Sequence, residues 1–379
     1  MTSKSINCLP TEVMGIIVGY LDWKSVKKAS KANANIRYAC LPRLFRCVKI
    51  ALTLTSLNEF STFTASLAAR HVKTLVYIAS PYLKYDAVYR RSNFKRVYSP
   101  HRYVSDQETN CWVLPTEPMK YFEIYSFVMK TYNEEQKLLH GLLEGSNLGD
   151  VFRNLPNLSK IVLEYSSKPF SPVRWDVVYG PHRGKLFDDR ESFQAHMERL
   201  FDTLNLPETS NRLTTLHIKG SAYTDFDHGS NGIQTINLTQ AVSRLEEPTL
   251  DKLPSFLEYL GDKADIQFPA LKKLHLENCC GFTVQALESV CKRARLTLKT
   301  LKLAYCRLQN GKIGARFDLA SYHEIRFPIA FLNSLHAIGD SCSLDNVDIR
   351  AYYGVHTSFR SLLLGEIPLE QIPTKFLVQ

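Results

Sequence analysis

The sequence predicts an α/β protein in two parts, a small all-helical module over residues 1–50 and an irregular array of strand–turn–helix units over 51–379. Three observations predict it. Apolar residues recur at helical spacing in the first fifty positions. A frame of alternating leucines returns along the rest of the chain. Helix-period patterns lie between the copies of that frame.

The elements of the first part follow in order. Pro10 suits the first turn of a helix, where a missing N–H costs nothing, and Glu12 complements the helix dipole there. Val13, Ile16, Ile17, Tyr20 and Leu21 follow at i, i+3, i+4, i+7 and i+8, which predicts one apolar stripe of an amphipathic helix. Asp22 is a good N-cap for a second helix, with Val26 and Ala29 inward and Lys24, Lys27, Lys28 and Lys31 outward. "NANIRYACLPRLFRCVKI" predicts a third short helix, a break at Pro42 and a final apolar cluster of Leu44, Phe45, Val48 and Ile50. So small a module is poorly able to shield five large apolar side chains by itself. At roughly 1.5–3 kcal/mol for each fully buried aliphatic side chain, a wet stripe is expensive. Either the following domain or a foreign chain covers it.

In the second part the frame is L-x-x-L-x-L-x-x-C/S. "LTTLHIKGS" starts at Leu213, "LKKLHLENC" at Leu271, "LKTLKLAYC" at Leu298 and "LDNVDIRAY" at Leu344. "LSKIVLEYS" at Leu158 and "VKTLVYIAS" at Val72 are looser copies. The step from Leu271 to Leu298 is 27 residues, and that from Leu213 to Leu271 is 58, about two units. These steps fall in the range of leucine-rich repeats, so the body reads as an irregular leucine-rich-repeat solenoid. Leu271, Leu274 and Leu276 point inward, and Leu298, Leu301 and Leu303 of the next unit stack on them. Cys279 and Cys306 close their strands as small apolar side chains. Helix patterns fill the gaps, among them "EEQKLLHGLLE" (134–144), "RESFQAHMERLFDTL" (190–204) and "GFTVQALESVCKRARLT". The strand residues that alternate with the inward ones form an open face: Lys160, Val162 and Glu164; Thr215, His217 and Lys219; Lys273, His275 and Glu277; Thr300, Lys302 and Ala304; Asn346, Asp348 and Arg350. Their mixed charge suits a protein surface better than a small-molecule pocket.

Charge divides the chain in the same place. The net charge is +10, yet the first 102 residues carry +13 and the remainder −3. A basic head suggests an acidic partner for the head. The nine cysteines are odd in number and sit mostly in apolar patterns. With no signal-peptide pattern and no run of about 18 apolar residues, a reducing compartment, cytosol or nucleus, and no membrane are expected.

Residues 6–50, "INCLPTEVMGIIVGYLDWKSVKKAS…LFRCVKI", resemble an F-box, the module that docks F-box proteins on the Skp-type adaptor of cullin–RING ubiquitin ligases. The matching pieces are the Leu-Pro-x-Glu start, the Ile-Ile core, the Tyr-Leu-Asp turn and the closing Leu-Phe-x-x-Val. Ala32-Asn33 stands where the family often has Val-Cys, and Phe45 where it often has Trp. The units at 271–306 are similar to the cysteine-containing leucine-rich repeats that often follow an F-box, and the whole layout is similar to F-box proteins of filamentous fungi. The resemblance implies an F-box module followed by a leucine-rich-repeat solenoid, and a substrate receptor of an SCF-type ligase. It implies an adaptor-binding set in which Leu9, Pro10, Val13, Ile16, Ile17, Tyr20 and Leu21 face the adaptor or stack beneath that surface, with Val26, Leu44 and Phe45 completing it. Through the adaptor it implies a cullin and a RING protein, with a target protein on the open face. It implies no catalytic residue and no cofactor.

Other constellations carry less. Cys279, Cys280, Cys291, Cys306 and His275 have no metal-ligand spacing, so no metal is expected. "GDSCS" (339–343) with Asp348 and His356 writes down a Ser-His-Asp set around Ser341, but in a sequence context foreign to such enzymes. "VYRRSNFKRVYSPHRYV" (88–104) interleaves Arg90, Arg91, Lys95, Arg96 and Arg102 with Tyr89, Phe94, Tyr98 and Tyr103. It reads first as a basic insertion with aromatics packed on the repeats, then as a holder of an acidic or phosphorylated segment, and least as a single-strand nucleic-acid binder. Two alternatives to the ligase reading stand beside it, an adaptor-bound scaffold without ligase activity and a nucleic-acid binder acting through 88–104.

Overall fold

The computed structural model describes residues 9–110, 120–139, 148–166, 186–206, 212–220, 239–309, 316–318, 327–342, 344–350, 356–358 and 377–378. Cys8, Cys111, Ser343 and the 140–144 end of the pattern at 134–144 lie outside them.

Three helices open the chain: α1 (Thr11–Tyr20), α2 (Trp23–Ala29) and α3 (Ala34–Leu44). Asp22 caps α2, accepting from the N–H groups of Lys24 and Ser25 and from the Ser25 hydroxyl. The Ser25 bonds hold the Asp22 carboxyl below its usual range. Asn33 caps α3 by accepting from Ile36 N–H at 2.9 Å. α1 and α2 both pack on α3. Met14, Val18, Val26, Ile36, Ala39 and Cys40 close a small core, with Leu21, Ala29 and Leu44 at its edge. The break expected at Pro42 does not occur. α3 runs through it to Leu44, and Phe45 N–H still bonds Leu41 O at 3.0 Å. A proline this close to a helix end removes only one late hydrogen bond.

The chain continues as β1 (Cys47–Ala51), α4 (Leu54–Thr64), β2 (Thr74–Ala79), β3 (Tyr82–Leu83), α5 (Tyr85–Val88), α6 (Arg91–Val97), α7 (Pro100–Asn110), α8 (Tyr121–Leu139) and α9 (Leu148–Arg153). Next come β4 (Lys160–Tyr165), β5 (Phe187–Asp188), α10 (Asp189–Leu204), β6 (Thr215–Lys219), α11 (Thr239–Ser243), β7 (Glu247–Asp251), α12 (Pro254–Asp262) and β8 (Lys273–Glu277). The described remainder is β9 (Cys280–Phe282), α13 (Val284–Arg293), β10 (Thr300–Ala304), β11 (Arg307–Gln309), β12 (Arg316–Asp318), β13 (Phe327–Pro328), α14 (Ile329–Ser341), β14 (Asn346–Arg350), β15 (His356–Ser358) and β16 (Leu377–Val378).

The protein is mixed α/β, built on a nine-stranded sheet of order β1-β2-β4-β6-β7-β8-β10-β14-β15. The first eight strands are parallel, and β15 pairs antiparallel with β14. Sequence order and spatial order therefore coincide. The register is constant along the sheet. The carbonyl of the residue two before each strand's inward position accepts two N–H groups from the next unit: Arg46 from Lys73 and Thr74, Lys73 from Ser159 and Lys160, Ser159 from Thr214 and Thr215, and so on to Lys299 from Asp345 and Asn346. On one face Leu75, Tyr77, Ile161, Leu163, Leu216, Ile218, Leu250, Leu274, Leu276, Leu301, Leu303, Val347 and Ile349 are buried. They share a single core with Leu200, Phe201, Leu257, Leu287, Val290 and Ile338 of the helices.

Two parallel strands of the main sheet, β1 and β7, were not anticipated. β1 begins inside the segment read as the helical module, so the boundary expected at residue 50 falls within a strand. Ile50 belongs to the sheet's core and the half-buried Val48 packs against it, because each sits level with a core residue of β2, Val48 with Leu75 and Ile50 with Tyr77. β7 is the unit hidden in the 58-residue step; Pro248 occupies its leucine position and masks the frame. Proline gives no N–H, and the pairing of β7 with β8 starts one residue later, at Thr249–His275. Lys252, Asn278 and Tyr305 each take a left-handed conformation (φ 59°, 51° and 55°) one residue before a unit's closing position. There Cys279 Sγ–H donates to Leu250 O (3.5 Å) and Cys306 Sγ–H to Leu276 O (3.5 Å).

A satellite core lies off the sheet. β3 pairs with β5, and Leu83, Ala87, Val88, Phe94, Tyr98, Ile124, Val128, Leu186 and Phe187 pack together.

Candidate functional site

α1 is apolar on both faces. Met14 and Val18, 4% and 3% exposed, close on α3. The Arg43 guanidinium of α3 fixes the other end of α1, donating to Val18 O (2.5 Å) and Gly19 O (2.6 Å), where a cation also complements the helix dipole. The opposite face carries Val13, Ile16 and Tyr20, with Ile16 62% and Tyr20 88% exposed. Leu9, Pro10 and Ile17 are exposed beside it. Open space lies over Gly15 and Gly19. Glu12 is the one charged residue of the helix. An all-apolar helix is normally buried on every side; here one side is sealed and the other bare.

The ten residues expected on this face therefore divide. Leu9, Pro10, Val13, Ile16, Ile17 and Tyr20 are exposed, and Leu21 is half-buried on the module core. Val26 is fully buried beneath the surface, the inward anchor of α2 that its spacing predicts. Leu44 packs at the edge of the same core, and the Phe45 ring meets Phe63 of α4 at 5.4 Å. The stripe is also not amphipathic in the sense expected, since the inward anchors are Met14 and Val18, one position along from Val13 and Ile17. Trp23 and Tyr38 are exposed aromatics that the pattern did not single out, and the Lys27 ammonium lies 5.1 Å from the Trp23 ring centre. Lys24, Lys27, Lys28 and Lys31 are all exposed.

The open face of the sheet is an ordered grid. Thr300, Lys302 and Ala304 stand opposite Lys273, His275 and Glu277 on one side and Asn346, Asp348 and Arg350 on the other. Lys160 and Glu164 stand opposite Thr215 and Lys219, and β7 adds Glu247, Thr249 and Asp251. Val162 and Ala304 are buried and do not belong to the accessible set. Two lysines are paired across strands, Lys273 with Glu247 at 2.5 Å and Lys302 with Asp348 at 3.6 Å. His217 is half-buried in the centre. Burial, with Lys219, Lys160 and His275 adding, lowers it to about 4, so it is neutral at pH 7.

The segment 88–104 spans the end of α5, all of α6 and the start of α7. Arg90, Arg91, Lys95 and Arg96 are exposed, and Arg102 is half-buried. Phe94 and Tyr98 are buried in the satellite core, so neither ring is open to a base. Elsewhere, Ser341 Oγ–H donates to Ala337 O at 2.7 Å within its own helix, and Asp348 faces Lys302. Among the described residues, no three His, Cys, Asp or Glu side chains converge as a metal-binding group.

No protein-family model matches the chain, and no curated protein sequence matches it. No described helix is long and apolar enough to cross a membrane.

Proposed function

We propose that the chain is the substrate-recognition subunit of an SCF-type ubiquitin ligase, with residues 6–50 as its F-box and the repeat units as a leucine-rich-repeat solenoid. The bare face of α1 carries the proposal. Val13, Ile16, Ile17 and Tyr20 form an apolar surface on a helix already anchored from behind, so a partner gains burial without reorganising it. The exposed lysines of α2 give that surface a positive rim, which favours encounter with an acidic adaptor. The constant register of the sheet supports the repeat reading, and its open face would hold the target. Catalysis by such a subunit is proximity: it raises the effective concentration of a target lysine at a thioester held elsewhere in the assembly. It supplies no catalytic residue and needs no cofactor, and it works in the cytosol or nucleus.

The test is co-purification with a Skp-type adaptor and its cullin, comparing the wild type with Ile16→Asp and with Leu9→Ala/Pro10→Ala. Both variants should remain folded and lose the adaptor. Full adaptor retention in both would remove the docking assignment, and adaptor without cullin would leave a scaffold instead of a ligase.

A further inference from the structure

α5, α6 and the residues joining them hold Arg90, Arg91, Lys95 and Arg96 against Asp86 alone, whereas α7 and α8 also carry acids. Residues 70–102 hold eight lysines and arginines against Asp86 alone. Within this stretch α6 turns Phe94, Val97 and Tyr98 toward the satellite core, which leaves Arg91, Lys95 and Arg96 on its outer side. Arg90 stands just before the helix, with its guanidinium 5.9 Å from the Tyr89 ring centre. No ion pair among the described residues engages Arg90, Arg91, Lys95 or Arg96. The sheet face differs, since Lys273 and Lys302 already have carboxylates there. The charge is also held rigidly. Tyr121 O–H donates to Tyr98 O at 2.6 Å, and the Asn93 amide donates to Asp86 O at 2.9 Å, tying α6 to α8 and α5. Beside the cations the exposed Tyr85 and Tyr89 rings lie 4.5 Å apart and form an aromatic ledge.

We propose that the outer face of α6, with the Tyr85–Tyr89 ledge, binds a short Asp/Glu-rich peptide segment of a target protein. Three of the four cations are arginines, whose planar fork suits carboxylates. They are spread over a helix only about 10 Å long, which matches a few clustered acids and an adjoining apolar side chain. A nucleic-acid strand fits less well. It needs a longer basic track and free ring faces for successive bases, but Phe94 and Tyr98 are buried and the two exposed tyrosines face each other. That the segment belongs to a degradation target rests on the receptor reading; the binding itself does not.

The experiment is fluorescence anisotropy of the full chain with a labelled Glu/Asp-rich dodecapeptide containing one leucine. The same peptide with Gln/Asn for the acids, a twelve-nucleotide single-stranded DNA and phosphatidylserine vesicles are run beside it. The acidic peptide should bind, and the neutral one should not. Arg91→Ala/Lys95→Ala/Arg96→Ala should weaken binding tenfold or more with unchanged thermal unfolding. If that variant fails to fold, Arg91→Gln/Arg96→Gln should show the same direction of loss. Ile16→Asp should leave peptide binding intact while abolishing adaptor capture, so the two proposals fail separately. Equal binding of the acidic and neutral peptides, equal binding by the charge variants, or tighter binding of DNA or vesicles at the same residues would overturn the inference.

Discussion

α1 and α13 are both ten residues long and both rich in apolar side chains, and they dispose of them in opposite ways. α13 buries Val284, Ala286, Leu287, Val290 and Cys291 against its neighbours and turns Glu288 and Lys292 outward as an ion pair at 2.6 Å. Its start is capped twice: Thr283 accepts from Ala286 N–H, and the buried Glu258 carboxylate accepts from the Thr283 N–H and hydroxyl. α1 has no side-chain cap and buries only Met14 and Val18. The difference teaches that apolar content alone does not mark a core helix. α13 has helices on both flanks, α12 and α14, to receive its face, whereas among the described residues α1 packs mainly on α3, on one side.

This contrast can be attacked at several points. The largest effect is expected in the sealed helix: Leu287→Ala leaves a cavity in the main core and should cost about 2–5 kcal/mol in urea unfolding. A loss under about 1 kcal/mol would mean that the helix is not sealed. Acid should breach the same core at another point, under α10. His196 is fully buried; its Nε2–H donates to Ser80 O (2.9 Å), so Nδ1 accepts from Tyr77 O–H (2.7 Å). Burial lowers it to about 4. The unfolded chain thus takes up this proton first as pH falls below about 6.5, and stability present at pH 7 is lost on the way to pH 4, about 3 kcal/mol through this group. Glu135, raised by burial to about 8, acts in the opposite sense between about 4.5 and 8. His217, lowered likewise to about 4, acts in the same sense as His196, so unfolding is compared at pH 7 and pH 4 in a Glu135→Gln/His217→Gln background, where a flat profile would contradict the buried neutral His196. Residues 9–50 contain no histidine and lack this sensitivity.

Smaller effects sharpen the comparison. A Cβ on Gly261 would meet Ala286 Cα at 2.7 Å, so Gly261→Ala should push α12 from α13 at about 1–3 kcal/mol. The smallest change belongs to the bare helix. Ile16→Asp should shift stability by no more than about 0.5 kcal/mol. A loss comparable to that of Leu287→Ala would show that the exposed face is covered by the chain itself.

Much of this was legible beforehand. The frame located β2, β4, β6, β8, β10 and β14, and the 190–204 pattern located α10. The caps at Asp22 and Pro10's place at the head of α1 could also be read directly. β7 escaped because Pro248 stands where a leucine was sought. β1 escaped because "LFRCVKI" was read as the end of a helical module, although Val48 and Ile50 alternate as a strand's inward residues do. Pro42 misled for the opposite reason, since a rule for helix interiors was applied to a helix end. In the basic segment composition revealed the charge, but it could not separate Arg91 on the outside of α6 from Phe94 beneath it.

The sequence by itself determined the periods: helical spacing in α1, two-residue alternation in the strands, and the unit length that stacks Leu274 on Leu301. Backbone geometry enforces these locally, so nearby residues suffice to read them. Tertiary structure alone decided which apolar residues are covered. Met14 and Ile16 are equally apolar and two positions apart, yet α3 lies against one and nothing described lies against the other. Burial is a property of a side chain and whatever distant segment reaches it, and no local pattern carries that second term.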